Sequence, residues 1–388
     1  MKGSSADSDP IRALHVGKYF PPHRGGMETF LKEICSASQQ LGIQCTALVH
    51  QSVRGFRSSQ SQQQVNKQKI LVVRVATWFR FLYAPISPLF GLHLQRILTR
   101  EKPKVIHLHF PNPSAFWILL LPRAWRSDWL VHWQSDVITA NSGLLLRTLY
   151  VFFSPFERAV LWRSKYIVVS SPNYLSYSKP LRKFKDKCKI IPLGIADRFN
   201  PMCSERSQAS QPLRILSLGR LAHYKGHEVL LHALQNVSNA EVIIVGDGER
   251  SNSLKSLVAQ LGIADRVSFF GAVTDSERDR FIRTCDCLCL ASTDSTESFG
   301  IVLLEATSAG KPCVVSDVAG SGMSWVVDHE STGLVFQNAS TRDLADSLQR
   351  LADDRELTEK LGENARAKYV KHFSIEKTAS ATISLYET

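Results

Sequence analysis

Two carboxylates stand eight positions apart in Glu297-Ser-Phe-Gly-Ile-Val-Leu-Leu-Glu305. A carboxylate accepts hydrogen bonds from sugar hydroxyls, and a pair facing one cleft could hold two sugars of a single ligand. Gly300 permits a tight turn into a helix whose first N–H groups and positive dipole end suit a phosphate. Glu297 precedes that helix and Glu305 lies about one turn inside it. Ordinary helix-start acids would give the same spacing, so the pair needs cations nearby to mean more. Gly219-Arg220-Leu-Ala-His-Tyr-Lys225-Gly226 supplies them on a glycine-bounded loop. Arg220 as a planar fork and Lys225 as a point charge suit a diphosphate leaving group. A solvated basic loop is the plain alternative.

Other candidates are short turns after apolar runs. Val245-Gly246-Asp247-Gly248 lets a ligand approach the backbone closely, and Gly271-Ala-Val273 could line a base pocket. Near the start of the chain, Gly25-Gly26 opens a helix and is a plausible diphosphate contact. His132-Trp133-Gln134-Ser135-Asp136 ends another apolar run, where a histidine could bond a substrate hydroxyl or shuttle a proton. A lone strand histidine is more often structural.

Elements of two kinds must position these residues. Apolar runs of strand length alternate with amphipathic stretches of helix length, the pattern of a parallel sheet with crossover helices. In the first half strands fit Ala13–Val16, Cys45–Val49, Ile70–Val75, Val105–His109, Leu130–Trp133, Tyr166–Ser170 and Lys189–Pro192, with a helix from Glu28 to Leu41. The Ser- and Gln-rich stretch from Gln51 to Gln68 reads as a loop. In the second half strands fit Leu213–Leu218, Glu241–Val245, Val267–Phe270, Cys287–Leu290, Pro312–Ser316 and Gly333–Phe336. The helices expected there are His227–Asn236, Arg250–Leu261, Asp275–Thr284, Val302–Ala309, Thr341–Ala352 and Glu356–His372. The expected architecture is α/β: two doubly wound, Rossmann-like domains facing a cleft, over 1–198 and 212–372, joined by a polar linker at 199–211. Ligands of such sheets bind outside the carboxyl ends of the strands, where every candidate above falls.

At 388 residues the chain is long enough for two cores. Its net charge of +12 is unevenly spread. Residues 1–210 carry 29 Lys and Arg against 11 Asp and Glu, and residues 211–388 carry 18 against 24. The first half therefore suits an anionic partner. Cations and aromatics interleave at Arg74, Trp78, Phe79, Arg80, Phe81, Tyr83, Arg96 and Arg100, and again from Arg147 to Arg163. That pairing suits an anionic membrane surface, whereas no nucleic-acid-binding motif is present. The alternative is that these aromatics are core and the cations only flank them. The eight cysteines include no C-x-x-C pair and read as reduced thiols of a cytosolic protein. Cys285, Cys287 and Cys289 would share one strand face as small apolar groups. Residues 1–10 lack the apolar core of a signal peptide, and no apolar run is long enough to span a bilayer. Membrane contact is expected to be peripheral, at the inner face of the plasma membrane.

Taken in order, Gly25-Gly26, Gly219-Arg220…Lys225-Gly226, Val245-Gly246-Asp247-Gly248 and Glu297…Glu305 resemble the motifs of glycosyltransferase family 4, the large retaining family with the GT-B fold. The resemblance covers nearly the whole chain. It implies a hexosyltransferase that needs no metal and takes a nucleotide-diphosphate sugar, GDP-mannose being the best match, as substrate. The only strict Asp-x-Asp, Asp7-Ser-Asp9, lies near the start of the chain. Arg220 and Lys225 would neutralise the diphosphate, Glu305 would bind the ribose hydroxyls and Glu297 the donor sugar. Ser298, Phe299, Gly300 and Ile301 would offer backbone N–H groups, and Gly26 would approach the diphosphate from the opposite domain. Gly246, Asp247 and Val273 would complete the donor pocket. Many relatives carry a histidine two residues after His132; here that position is Gln134, and either could meet the sugar. The tail 373–388 would cross back onto the first domain. The acceptor implied is a lipid-linked or other glycan in polysaccharide or glycolipid synthesis. Competing readings are a GT-B-type epimerase, a soluble glucan or sucrose synthase, and a dead nucleotide-sugar-binding scaffold at the membrane.

Overall fold

The computed structural model describes residues 10–23, 25–65, 68–81, 84–137, 142–199 and 211–388. Asp7, Asp9, Tyr83 and residues 200–210 of the expected linker lie outside the described residues. Elements follow in the order β1 (Arg12–Val16), α1 (Gly26–Gln40), β2 (Gln44–Arg54), β3 (Ser59–Val65), β4 (Gln68–Thr77), β5 (Phe79–Phe81), β6 (Ala84–Ile86), α2 (Leu89–Arg100), β7 (Val105–Phe110), β8 (Asp128–Trp133), α3 (Leu144–Arg163), β9 (Tyr166–Val169), α4 (Pro172–Tyr177) and β10 (Cys188–Ile190). The second series is β11 (Leu213–Leu218), α5 (His227–Leu234), β12 (Ala240–Val245), α6 (Ser251–Gln260), β13 (Val267–Phe269), α7 (Asp275–Thr284), β14 (Cys287–Leu290), α8 (Ile301–Ser308), β15 (Cys313–Asp317), α9 (Met323–Val326), β16 (Gly333–Gln337), α10 (Thr341–Asp353), α11 (Arg355–His372) and α12 (Ile375–Glu387).

The first sheet runs β10-β9-β8-β7-β1-β2-β4-β3 and the second β13-β12-β11-β14-β15-β16. Every pairing in the second sheet is parallel, as crossover helices require. In each sheet the winding direction reverses once, between β1 and β7 and between β11 and β14. Crevices at such reversals are where open α/β sheets bind ligands. The first sheet is covered on one face by α1 and α12, through Leu31, Cys35, Ile383 and Tyr386. Its other face is covered by α2 and α3, through Phe90, Leu94, Val160 and Leu161. The second sheet has its own two layers, around Leu303 and Leu304 on one face and Leu230 and Leu254 on the other.

Two local expectations fail for physical reasons. The stretch expected to be a loop holds β3, antiparallel to β4, with Gln62 opposite Leu71. An edge strand with both faces near solvent needs no apolar alternation, so Ser and Gln conceal it. The three alternating cysteines are all buried but do not share a face. Cys287 and Cys289 join one core layer, while Cys285 precedes β14 and joins the other.

The halves touch at several points. Ile195 pairs with Ser374, and the Tyr369 hydroxyl donates to the Ile195 carbonyl at 2.9 Å. α12 then lies on α1 in the first half, where the Tyr386 hydroxyl meets His107 Nδ1 at 2.6 Å.

Candidate active site

The second-half site is assembled by glycines that leave no room for a Cβ. Gly226 takes φ 66° and sits so close to Ala291 that a Cβ would fall 1.8 Å from its carbonyl oxygen. The adjacent Tyr224 carbonyl accepts from Thr293 N–H at 2.8 Å. These contacts fasten the loop after β11 to the loop after β14. Lys225 folds back over Gly219, where a Cβ would lie 3.3 Å from Nζ. Its ammonium then meets the Glu297 carboxylate in an ion pair whose side chains are 11% and 13% exposed. Burial pulls the Lys225 pKa down, but Glu297 and Tyr224 more than offset this, and the net shift is upward. The pair lies at the reversal point of the sheet. Arg220 stands beside it, exposed, and makes no ion pair among the described residues.

Gly300 takes φ 80° and starts α8. The first N–H groups of that helix have no intrahelical acceptor. Phe299 is buried and packs near Trp325 and Phe373. The Ser298 carbonyl accepts from Gly322 N–H at 2.7 Å, so the turn is held from behind. Glu305 is 8% exposed, with Arg278 at 3.5 Å and Arg198 at 3.8 Å. Burial raises its pKa, and the two guanidiniums pull it partly back. Arg198 also pairs with Glu33 of α1 at 3.0 Å, so the Glu305 carboxylate is linked to the first half.

Gly246 takes φ 141°, and a Cβ there would fall 1.8 Å from the Gly219 carbonyl oxygen. Its N–H donates to Gly271 at 2.7 Å, and Leu221 N–H donates to the Asp247 carbonyl at 3.0 Å. Half-buried Val273 follows, packed against the core. The turns after β11, β12 and β13 are thus stacked backbone on backbone at one end of the sheet.

Across the cleft, a Cβ on Gly26 would meet Ile301 Cδ1 at 3.1 Å. The N-termini of α1 and α8 therefore face each other, one from each half. Lys18 follows β1 at the first sheet's own reversal point and carried no recognisable sequence pattern. Burial lowers its pKa; Glu28 opposes this, while Arg80 and Arg220 add to it. Burial also lowers His23, with Arg80, Lys18 and Arg220 adding to the shift. Lys18 and His23 thus lie close enough to Arg80 and Arg220 to feel their charge. Arg74, expected at an anionic surface, turns inward instead, whereas Arg80 stays exposed. Arg80 lies 5.8 Å from the Tyr19 ring centre, and Arg74 donates to the Pro21 carbonyl at 2.8 Å.

The two candidates after the first-half strand are placed differently. His132 is fully buried, stacked on His107 and His109 and edge-on to Phe30. Burial, with a smaller push from His15, lowers its pKa to about 3, so the ring is neutral. Gln134 lies beyond the end of β8, nearer the cleft. It is 5% exposed, and neither amide atom has a partner among the described residues. A buried amide with both ends unpaired is costly unless something else bonds to it.

Residues 25–194 match the glycosyl transferase 4-like domain and residues 204–368 match glycosyl transferases group 1. The chain belongs to glycosyltransferase family 4. This glycosyltransferase is 25% identical over 383 residues to O-antigen chain mannosyltransferase C of Escherichia coli, spanning 97% of this chain and 98% of that one. It is 26% identical over 375 residues to the GDP-mannose-dependent alpha-(1-6)-phosphatidylinositol monomannoside mannosyltransferase of Mycobacterium tuberculosis, spanning 92% of each. Among solved structures it is similar to sucrose-phosphate synthase from Thermosynechococcus elongatus, with a TM-score of 0.80 at 20% identity over 97% and 98% of the two chains. At that identity the likeness is one of fold, and the fold is GT-B.

The stacked turns give a direct test. Gly246→Ala is expected to cost about 3 kcal/mol or more, because strain adds to a backbone clash. Gly262→Ala, at φ 66° with nothing within 4 Å of the added carbon, is expected to cost only about 1 kcal/mol. Urea midpoints of the two variants check this; equal costs would refute the packing described.

Proposed function

We propose that this glycosyltransferase moves a hexose, with retention of configuration, from a nucleotide-diphosphate sugar to a lipid-linked or other glycan acceptor. The observation that carries the reading is the meeting of the two helix N-termini at Gly26 and Ile301 beside Arg220 and the Lys225–Glu297 pair. Two positive helix ends and two side-chain cations around one gap suit a diphosphate. Glu305 would take the ribose hydroxyls, and the turns at Gly246, Asp247 and Val273 would hold the nucleoside. Glu297 would bond the donor sugar once the phosphate shares Lys225, and Gln134 would meet the same sugar from the first half. GDP-mannose is the preferred donor, supported by the mannosyltransferases among the relatives.

The chemistry is stabilisation of a leaving group in a closed cleft. The bond from the sugar's anomeric carbon to the diphosphate oxygen breaks, and its electrons stay on the diphosphate, held by Arg220, Lys225 and backbone N–H groups. The acceptor hydroxyl attacks the face the nucleotide leaves, and its proton passes to the departing phosphate oxygen. These residues meet the charge that a metal ion offsets in other transferases, so the reaction is proposed to need none.

We place the enzyme on the inner face of the plasma membrane. No described helix is long and apolar enough to cross a bilayer. Along α3, however, Leu144, Leu145, Phe152, Phe156 and Trp162 form an outward stripe, with Phe152 72% and Trp162 69% exposed. Arg147 and Arg158 flank it. An apolar face rimmed by arginine suits an anionic lipid surface. It argues against a soluble synthase, for which the structural likeness supports only the fold.

A panel of nucleotide sugars, assayed for donor hydrolysis and for binding in EDTA, tests the assignment. GDP-mannose is expected to be used without metal, and Glu297→Ala or Lys225→Ala to lower turnover at least about a hundredfold with the far-ultraviolet spectrum kept. Failure to bind any nucleotide sugar would end the transferase reading, and near-normal turnover in either variant would remove that residue from the site. Flotation with liposomes containing anionic lipid tests the placement. Recovery with vesicles is expected to fall several-fold in Phe152→Ser/Trp162→Ser, and no flotation of the wild type at low salt would refute it.

A further inference from the structure

Under α1 and α12 the first sheet carries an unusual set of polar side chains. His15 on β1, His107 and His109 on β7 and His132 on β8 rise from one face, because their strands pair in register as His15↔His107 and His109↔His132. Cys45 stands beside Ala13 in the β1–β2 register and so shares that face with His15. Cys35 descends from α1 to meet it. All six are at most 2% exposed, and both cysteines are free thiols. A core of this kind has few reasons to hold two thiols against an imidazole.

We propose that His15, Cys35 and Cys45 form a binding site for a soft d10 metal ion, zinc(II) or copper(I). One ligand atom from each lies within 4.8 Å of the other two. Cys45 Sγ is 3.8 Å from His15 Nε2. Ordinary zinc–sulfur and zinc–nitrogen bonds at a tetrahedral angle require about 3.6 Å, so a small inward shift closes the site. Two thiolates and a neutral imidazole match a soft cation, and their charges cancel that of a dication in a core where net charge is costly.

The histidine row supports this choice of ligands. His15 Nδ1 lies 3.2 Å from His109 Nε2. With the proton on His15 Nδ1, His109 accepts, and His15 Nε2 keeps its lone pair toward Cys45. A metal-bound histidine is oriented in this way by a partner on its other nitrogen. The neighbouring set His15, His107 and His109 also has ligand atoms within 4.8 Å. It is the poorer site, because the His107 and His109 rings stack 4.6 Å apart with planes 15° from parallel. Lone pairs lie in the ring planes, so two stacked imidazoles cannot aim at one ion. Three neutral ligands would also leave a buried dication unbalanced.

A metal here would fasten α1 to β1 and β2. It would do so two to three turns along the helix from Gly26, and so steady the glycine turn that faces Ile301. The role is structural and takes no part in transfer.

Metal content of the full chain, purified in reductant from zinc-supplemented and from copper-supplemented cultures, tests the proposal. One equivalent of zinc or copper per chain is expected in at least one arm. Cys35→Ser/Cys45→Ser should fall to background, and Cys188→Ser, at a half-buried cysteine elsewhere, should keep the metal. Cobalt(II) in the wild type should give a thiolate-to-metal charge-transfer band that the double variant lacks. Metal-free wild type in both arms would overturn the proposal, whether or not the variants fold. So would metal retained by the double serine variant, or a native mass lower by two hydrogens, which marks a disulfide in place of a site.

Discussion

The ion pair between Lys225 and Glu297 is the contact on which the second half of the site is arranged. Two charges so little exposed lose most of their hydration, and only close pairing compensates. Close pairing in turn dictates the backbone. Gly219 takes φ 147°, where a Cβ would press on the folded-back Lys225 side chain, and Gly226 must take a left-handed turn against Ala291. Neither would bring the charges together without the adjacency of β11 and β14, the one place where this sheet reverses its winding. On the proposed function, a phosphate arriving beside Arg220 would compete for the ammonium and so release carboxylate oxygens toward a sugar. The pair would then be a preformed holder whose two halves are parted by the ligand they bind.

The same logic extends across the cleft. Gly26 and Ile301 bring together two helix starts that repel each other mildly through their dipoles. Lys18 and Arg80 add further positive charge, with Glu28 as the nearby carboxyl, and together they disfavour the charged form of His23. An excess of positive potential at a closed interface is unfavourable until an anion enters, and then it is favourable. Elsewhere the halves are held by ordinary contacts. Arg366 of α11 pairs with Asp197, and α12 returns to the first sheet through Tyr386. The chain of Glu33, Arg198, Glu305 and Arg278 joins the carboxylate proposed for ribose to the packing of α1. Binding at Glu305 would therefore be felt in the first half.

Much of this was legible in the sequence. Strand-end motifs from Gly219 to Glu305 stood out because glycines with required conformations flank charged residues, and the parallel strands announced themselves as apolar runs. What was hidden lacked such a signature. β3 is an edge strand and can be wholly polar. Lys18 is one lysine after a strand, and only the fold shows it facing Arg220. Arg74 looked like a surface cation, yet it turns inward to the Pro21 carbonyl. His132 and Gln134 could not be separated by spacing, since they share a face; position separates them, the histidine lying in a stacked interior row and the amide just beyond the strand end, and neither side chain has a hydrogen-bond partner among the described residues. The cysteine and histidine contacts under α1 bring together residues from three elements, and no local spacing encodes them.

We propose that a donor diphosphate is held between the two helix starts by Arg220 and Lys225, with no metal. Calorimetric titration of GDP in EDTA into the wild type and Arg220→Met tests it most directly. Arg220 is exposed, and its removal should leave the fold intact. Saturable binding is expected of the wild type, and at least about tenfold weaker binding of the variant. Equal affinity of the two proteins, or binding by the wild type only after a divalent cation is added, would contradict it.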